Sequence, residues 1–364
     1  MLSEEDPCSP MKKLKILSEK QQNVKPYLDH SNLPTIKEKL TEVKATVETN
    51  ENREVTEHLL EDAPGKYVIF PINHEDMWRM YKNLVDNFWS VTETIQDLEK
   101  LTFTYNEKQF MKYFSSIFSS PKSSGLVNEN FAEEFCKVIQ VTEAKFFYGH
   151  QLFIQNIHSE MYNKLLTNFT DSNEEREKLF KIVENFDSVA KKREWIEKWK
   201  NTSFGEQLVA SSCLHGLLFS SLELICSWLK IKTRTILSHE LMDFFEKMIL
   251  DQELQRDFSC LMISHLRNKP SKEKILETIN QAAKLEFDFL INGLKSDLVD
   301  IEPEEIIQLI DRKTKELKLR MFSGMDEKKK APTNDIADKK NVEDQADREV
   351  SKENHQRLVF DEDF

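Results

Sequence analysis

Glycine is scarce in this chain. Seven glycines stand among 364 residues, about 2% where ordinary usage is about 7%. They are Gly65, Gly125, Gly149, Gly205, Gly216, Gly293 and Gly324, and no two are near enough to build a phosphate-cradling loop. That excludes P-loop, dinucleotide-binding and kinase-type chemistry, which all need backbone to approach a phosphate. Cysteine is equally unhelpful as a framework. Cys8, Cys136, Cys213, Cys226 and Cys260 are widely spaced, odd in number and without a C-x-x-C pair, so zinc-ribbon and disulfide-scaffold readings fail. The N-terminus, MLSEEDPCSPMKKLKIL, has acids where a signal peptide needs bases and no apolar segment. Basic residues are outnumbered, 51 against 64, for a net charge of −13. Nucleic acid and anionic membrane would both repel such a chain, so neither is expected as a partner. One apolar run, Leu208 to Leu229, has only His215 and Glu223 as ionisable groups. It contains five serines and no flanking basic tract, which predicts a core helix of a bundle and not a membrane span. The expected compartment is cytoplasmic.

What is present is helix-forming material. Charged residues make up 32% of the chain, Glu and Lys foremost, and apolar residues recur at helical spacing. Three parts are expected: a polar extension over 1–62, an all-α bundle over 63–322, and a charged tail over 323–364. The clearest breaks are Asn106, Pro121 to Gly125, Asp171 to Asn173 and Asn268 to Ser271. The segment from Val127 to about Phe169 reads as one strong helix. Phe131, Phe135, Val138, Phe146, Phe153 and Ile157 are expected along its inward stripe, with Gln155, His158 and Tyr162 on an adjoining line of one face. Isolated polar groups also interrupt apolar runs at His215 and at Asp251, Gln252 and Gln255.

Several blocks carry a resemblance. Tyr67 to Trp89 reads YVIFPINHEDMWRMYKNLVDNFW, and Gly125 to Leu166 reads GLVNENFAEEFCKVIQVTEAKFFYGHQLFIQNIHSEMYNKLL. Val189 to Trp199, Gly205 to Ser221 and DFSCLMISHLRNKP (Asp257 to Pro270) follow in order. Together these resemble the small subunit of class I ribonucleotide reductase. The resemblance implies a ferritin-like helical bundle, a dimer, and a di-iron or manganese-containing cluster that oxidises a tyrosine to a radical passed to the large subunit. Tyr162 matches the radical tyrosine, and Trp78, Asp251 and His158 match the family's relay.

The metal ligands do not carry over intact. Two trivalent ions require about four carboxylates and two imidazoles, which the family supplies partly as two E-x-x-H motifs. No acid stands three positions before any of the nine histidines here. The first motif has become Gln155-x-x-His158, the glutamate before a glycine has become His215, and the second motif has become Gln252 and Gln255. The remaining acid falls on Glu99 by spacing, with Asp97 an alternative. One anion among buried metal charges is costly, while amides bond one another without charge. The expectation is therefore no cofactor, with Glu99, His158 and His215 as remnants and Tyr162 silent. Glu223 falls where the family has a Phe near the tyrosine.

The segment Leu358 to Phe364 resembles the family's docking peptide for the large subunit. Phe360 and Phe364 are expected as apolar anchors, with Asp361, Glu362 and Asp363 adding charge complementarity. Ser9-Pro10-Met11-Lys12 and Lys352-Glu353-Asn354 resemble a kinase site and a degradation signal, patterns short enough to arise by chance. The expected role is an assembly or regulatory partner. It would join the large subunit through the tail and pair with a metal-competent small subunit, or with itself. The alternatives are a metal-binding small subunit still contributing to ribonucleoside diphosphate reduction, and a decoy that competes for the large subunit.

Overall fold

Helix starts are written locally. Thr104 accepts from the Glu107 amide at 3.4 Å while the Glu107 carboxylate accepts from the Thr104 amide at 2.7 Å. Ser203 and Glu206 form the same reciprocal cap, and Ser172 and Ser271 cap two further helices. Each such cap is worth about 1 kcal/mol. In the computed structural model these signals open members of a helical succession. It runs α1 (Glu75–Asp86), α2 (Tyr105–Ser119), α3 (Phe131–Val138), α4 (Thr142–Phe169), α5 (Asn173–Glu184) and α6 (Asp187–Trp199). It continues with α7 (Phe204–Gly216), α8 (Ser221–Lys232), α9 (Ile236–His265), α10 (Lys272–Asn292) and α11 (Pro303–Ser323). The structure describes residues 57–62, 68–91, 103–120, 131–232, 236–294 and 296–323, all within the unit Val55–Phe364. Among the described residues there is no strand, as an all-α ferritin-like bundle requires.

The centre of the bundle is α2, α4, α7 and α9, with α1 laid along α4 and α8 along α9. Small side chains let α7 and α9 approach: Ser211 meets Ser259 at 3.0 Å, and Cys260 meets Ser212. Aromatic rings fill the wider gaps, with Phe147 stacked on Phe258 at 3.6 Å between centroids. The apolar run Leu208 to Leu229 is two helices, not one, because the chain turns between Gly216 and Ser221. The helical stretch Phe204–Ile231 is long and apolar enough to cross a membrane, yet 94% of its most apolar window is buried inside the bundle. A core role explains its composition.

Two expectations are corrected. The helix predicted from Val127 to Phe169 is interrupted at 139–141, where the Gln140 amide donates to the Leu59 carbonyl at 2.8 Å. The break resets the helical phase. Phe135 and Ile157 are buried, but Val138, Phe146 and Phe153 are 42%, 41% and 49% exposed. The core face of α4 is instead Phe147, Tyr148, Gln151, Ile154, Gln155, His158, Met161, Tyr162 and Leu165. Residues 57–62, read as part of the polar extension, are docked on the bundle. Leu59 is buried and the Glu57 carboxylate accepts from the Arg267 and Asn268 amides at 3.0 and 3.3 Å.

An ion pair is sealed within the outer helices. Lys192 on α6 pairs with Glu286 on α10, both almost wholly buried. The ammonium also donates to the Leu218 carbonyl at 3.0 Å and lies 3.5 Å from the Phe289 ring centroid. Removing one member leaves the other charged and unpaired. Lys192→Met is therefore expected to lower the unfolding free energy by about 3–5 kcal/mol in urea titrations, and adding Glu286→Leu to recover most of it.

Candidate functional site

Four segments bring polar side chains into the middle of the bundle. Gln151, Gln155, His158 and Tyr162 come from the inner face of α4, and His215 from the last turn of α7. Asp251, Gln252 and Gln255 come from α9, and Trp89 from the chain just after α1. All are buried. Of the expected site residues, His158, Tyr162, His215, Asp251 and the three glutamines are thus inside the bundle. Glu99, with its alternative Asp97, and the tail residues Phe360 to Phe364 lie outside the described residues.

The contacts form one chain. A carboxylate only accepts, so Asp251 Oδ2 takes one hydrogen bond from Trp89 Nε1 at 2.9 Å and one from His158 Nε2 at 2.8 Å. His158 Nδ1 is then an acceptor and faces Gln252 Nε2 at 3.5 Å. The Gln252 carbonyl oxygen accepts from His215 Nδ1 at 2.8 Å, and His215 Nε2 accepts from Gln151 Nε2 at 3.2 Å. Donor and acceptor alternate without conflict, and all four ring nitrogens of the two histidines are engaged. The His215 imidazole is neutral in this arrangement. Burial, reinforced by His158 and opposed by the bond to Gln252, lowers the pKa of His215 to about 4.

Tyr162 stands apart from this chain. Its hydroxyl is buried with no hydrogen-bond partner, its ring stacks on Phe118 at 4.8 Å, and Phe114 closes another side. Burial alone pushes its phenol pKa well up. The amides of Gln155 and Gln255 also have no partner at either end.

Three placements differ from the sequence expectation or add to it. Trp78 is not beside Asp251. It lies in α1 among Phe70, Tyr81 and Phe146, and Trp89 occupies the position against Asp251 and His158. The matched block holds both tryptophans, and the end of α1 decides between them by turning Phe88 outward and Trp89 inward. Glu223 does not enter the pocket of Tyr162. The turn before α8 points it to α11, where it pairs with Arg312 and Lys313, and these cations hold its carboxyl below the usual carboxylate range despite burial. Gln151 was missed, although it stands one helical turn before Gln155 on the same face.

The comparisons decide what this bundle is. The family description "Ribonucleotide reductase, small chain" matches residues 66–316. A ribonucleoside-diphosphate reductase small chain of Vaccinia virus (strain Ankara) is 38% identical over 258 residues, 68% of this chain and 78% of the viral one. The chain belongs to the ribonucleotide reductase small-chain family. Solved structures share its fold. The Rnr4 homodimer of Saccharomyces cerevisiae superposes with a TM-score of 0.64 at 22% identity, covering 92% of this chain and 99% of the other. The dimanganese(II)-NrdF of Streptococcus sanguinis does so with a TM-score of 0.57 at 16% identity, covering 72% and 92%.

Membership corrects the expectation of no cofactor. The family is one of di-iron and manganese proteins, and a relative of the same fold is a dimanganese(II) protein, so this small chain cannot be treated as cofactor-free. The described side chains nevertheless do not by themselves fit a dinuclear centre. Among the described residues no group of three or more His, Cys, Asp or Glu side chains is gathered to hold a metal. The Asp251 carboxylate is already shared by Trp89 and His158, and the amides that replace the other carboxylates supply no charge.

The neutral His215 carries a pH dependence. Its folded pKa of about 4 lies below the ordinary 6.5, so the unfolded chain binds the proton first as pH falls. Stability from this group is present above pH 6.5 and lost between pH 6.5 and about 4. The loss should reach about 3 kcal/mol at about 1.4 kcal/mol per pH unit. Urea unfolding at pH 7, 6 and 5 should show that slope in the parent protein and lack it in His215→Asn.

Proposed function

We propose that this small-chain family member serves deoxyribonucleotide synthesis as an assembly or regulatory partner, working in the cytoplasm beside a small subunit that carries the metal centre. The observation that supports this most directly is the chain of hydrogen bonds from Trp89 to Gln151. It occupies every ring nitrogen of His158 and His215, where the family pattern has a histidine and a glutamate facing metal. The side chains there bond to one another and hold the bundle together, a scaffolding task. Tyr162, dry and without a hydrogen-bond partner, is part of that packing.

In this reading the bundle pairs with a metal-competent small subunit or with its own kind, and the segment Leu358 to Phe364 engages the large subunit. Phe360 and Phe364 would supply apolar anchors and the three acids between them a charged complement. A charged tether lets the peptide reach its groove at a useful effective concentration.

A second reading is favoured by a different observation. Trp89, Asp251 and His158 keep a continuous buried arrangement, and Tyr162 lies buried one helical turn beyond His158 on α4, which suits a small subunit that itself contributes to ribonucleoside diphosphate reduction. Metal analysis, with paramagnetic resonance after iron or manganese and oxygen, separates the two. Stoichiometric metal with a tyrosyl signal selects the second reading.

The deciding experiment adds this chain to a large subunit and a limiting amount of metal-competent small subunit. Nucleotide reduction is expected to rise, and an unchanged or lower rate sinks the assembly role, a fall marking a decoy. Deleting residues 358–364 is expected to weaken capture on immobilised large subunit by about 10-fold or more, with helical content unchanged by circular dichroism.

A further inference from the structure

Residues 57–62 stand before the span that matches the family description, 66–316, yet they fasten onto separate elements of the bundle. The Leu59 side chain is wholly buried. Its carbonyl accepts from the Gln140 amide at 2.8 Å in the break between α3 and α4. In a continuing helix that amide would donate to the Cys136 carbonyl, four residues back. Ile139, Gln140 and Val141 include no Gly or Pro to force the break. Val141 is the N-cap of α4 and makes no side-chain cap, at a position where Val ranks poorly. This helix start, unlike those at Thr104 and Ser203, thus draws on a distant segment. Past the end of α9, the Arg267 and Asn268 amides donate to the Glu57 carboxylate at 3.0 and 3.3 Å, and Arg267 pairs with Glu61 at 2.9 Å.

Three histidines line the seam between this segment and the bundle. His58 belongs to the segment, His74 is the residue before α1, and His265 ends α9. The His74 and His265 rings meet edge to face at 5.6 Å between centroids. Carboxylates are interleaved with them. His58 Nδ1 lies 3.0 Å from Glu57 Oε1, and His265 Nε2 lies 2.7 Å from Asp76 Oδ2. From α4, the buried Glu143 carboxylate accepts the Asn73 and His74 backbone amides at 2.7 and 3.2 Å, and so holds the start of α1. Burial sets His74 below the usual histidine pKa; His265 and His58 act in the same direction, while Glu143 and Asp76 oppose them.

We propose that residues 57–62 are a strap that closes over the seam of His58, His74 and His265 near neutral pH and lets go when the seam takes up protons. The sign follows from His74. In the closed form its pKa lies below the ordinary 6.5, so an opened seam, with the ring hydrated and His58 moved away, binds the proton first. Closure owed to this group is complete above pH 6.5 and is lost as pH falls below it. Release frees the Gln140 amide, and one turn further along α4 stands Glu143 with the start of α1 in its grip. Both helices that lead to Trp89 and His158 are therefore loosened at their first turns, while the centre of the bundle stays folded.

Residue-resolved hydrogen exchange on the full chain tests this, each rate being divided by the intrinsic rate at that pH. Between pH 7.5 and 5.5 the amides of Gln140, Arg267 and Asn268 should lose protection together, by up to about tenfold per pH unit for one proton. The amides of Phe258 to Met262 in α9 report opening of the whole bundle and should stay better protected at every pH. His74→Gln should abolish the slope of the three strap amides, and His150→Gln, at a half-buried histidine further along α4, should leave it. Leu59→Ala should cut their protection about 30-fold or more at pH 7.5, with helical content unchanged by circular dichroism. Three amides that open independently, a slope that survives His74→Gln, or protection equal to that of Phe258 to Met262 would each overturn the proposal.

Discussion

The Asp251 carboxylate is buried, and the interior is arranged around satisfying it. Two N–H donors do so, one from Trp89 and one from His158. Accepting both bonds fixes which nitrogen of His158 bears its proton, and that choice dictates the orientation of Gln252, then the tautomer of His215, then the placement of Gln151. One carboxylate therefore sets the relative position of the end of α1, the middle of α4, the end of α7 and the middle of α9. Breaking the sequence anywhere would leave a polar group in a dry interior without its partner, at a cost of about 1–3 kcal/mol each.

The same logic can be set beside the ligand pattern that the resemblance implies. A dinuclear metal centre organises its ligands by charge, and each ligand faces the ions. Here amides and imidazoles face one another, and order is imposed by alternation of donors and acceptors. The two patterns overlap at His158, His215 and Gln252, because the ferritin-like arrangement projects those positions inward whatever side chains occupy them. The amides of Gln155 and Gln255, which stand where the matched motifs have a glutamate and a histidine, remain outside the alternation with hydrogen-bonding capacity unused.

Much of this was legible in the sequence because the informative features were local or combinatorial. Helix-forming composition, apolar residues at helical spacing and the absence of phosphate loops pointed to the all-α bundle. The pairing of Gln155 with His158, and of Gln252 with Gln255, on single helical faces put them in one interior. What sequence could not settle were questions of phase. The interruption at 139–141 turned Phe146 and Phe153 from expected core to surface, since periodicity read across a break adds the wrong rotation. Trp78 and Trp89 are equally aromatic and lie in one matched block, so only the turn at Asn87 and Phe88 shows which is interior. Glu223 was misplaced for the same reason, because the turn between α7 and α8 swings it toward Arg312 and Lys313.

The apolar stretch through α7 and α8 has a consequence for how the chain is made. Its main cover is α9, which lies later in the sequence, so the ribosome releases the greasiest part of the protein before the helix that hides it. For that interval the nascent chain displays a segment that chaperones, and even a bilayer, would recognise. Completion of α9 is thus the step that commits the polypeptide to the bundle, and truncation before Ile236 would yield a product prone to aggregate.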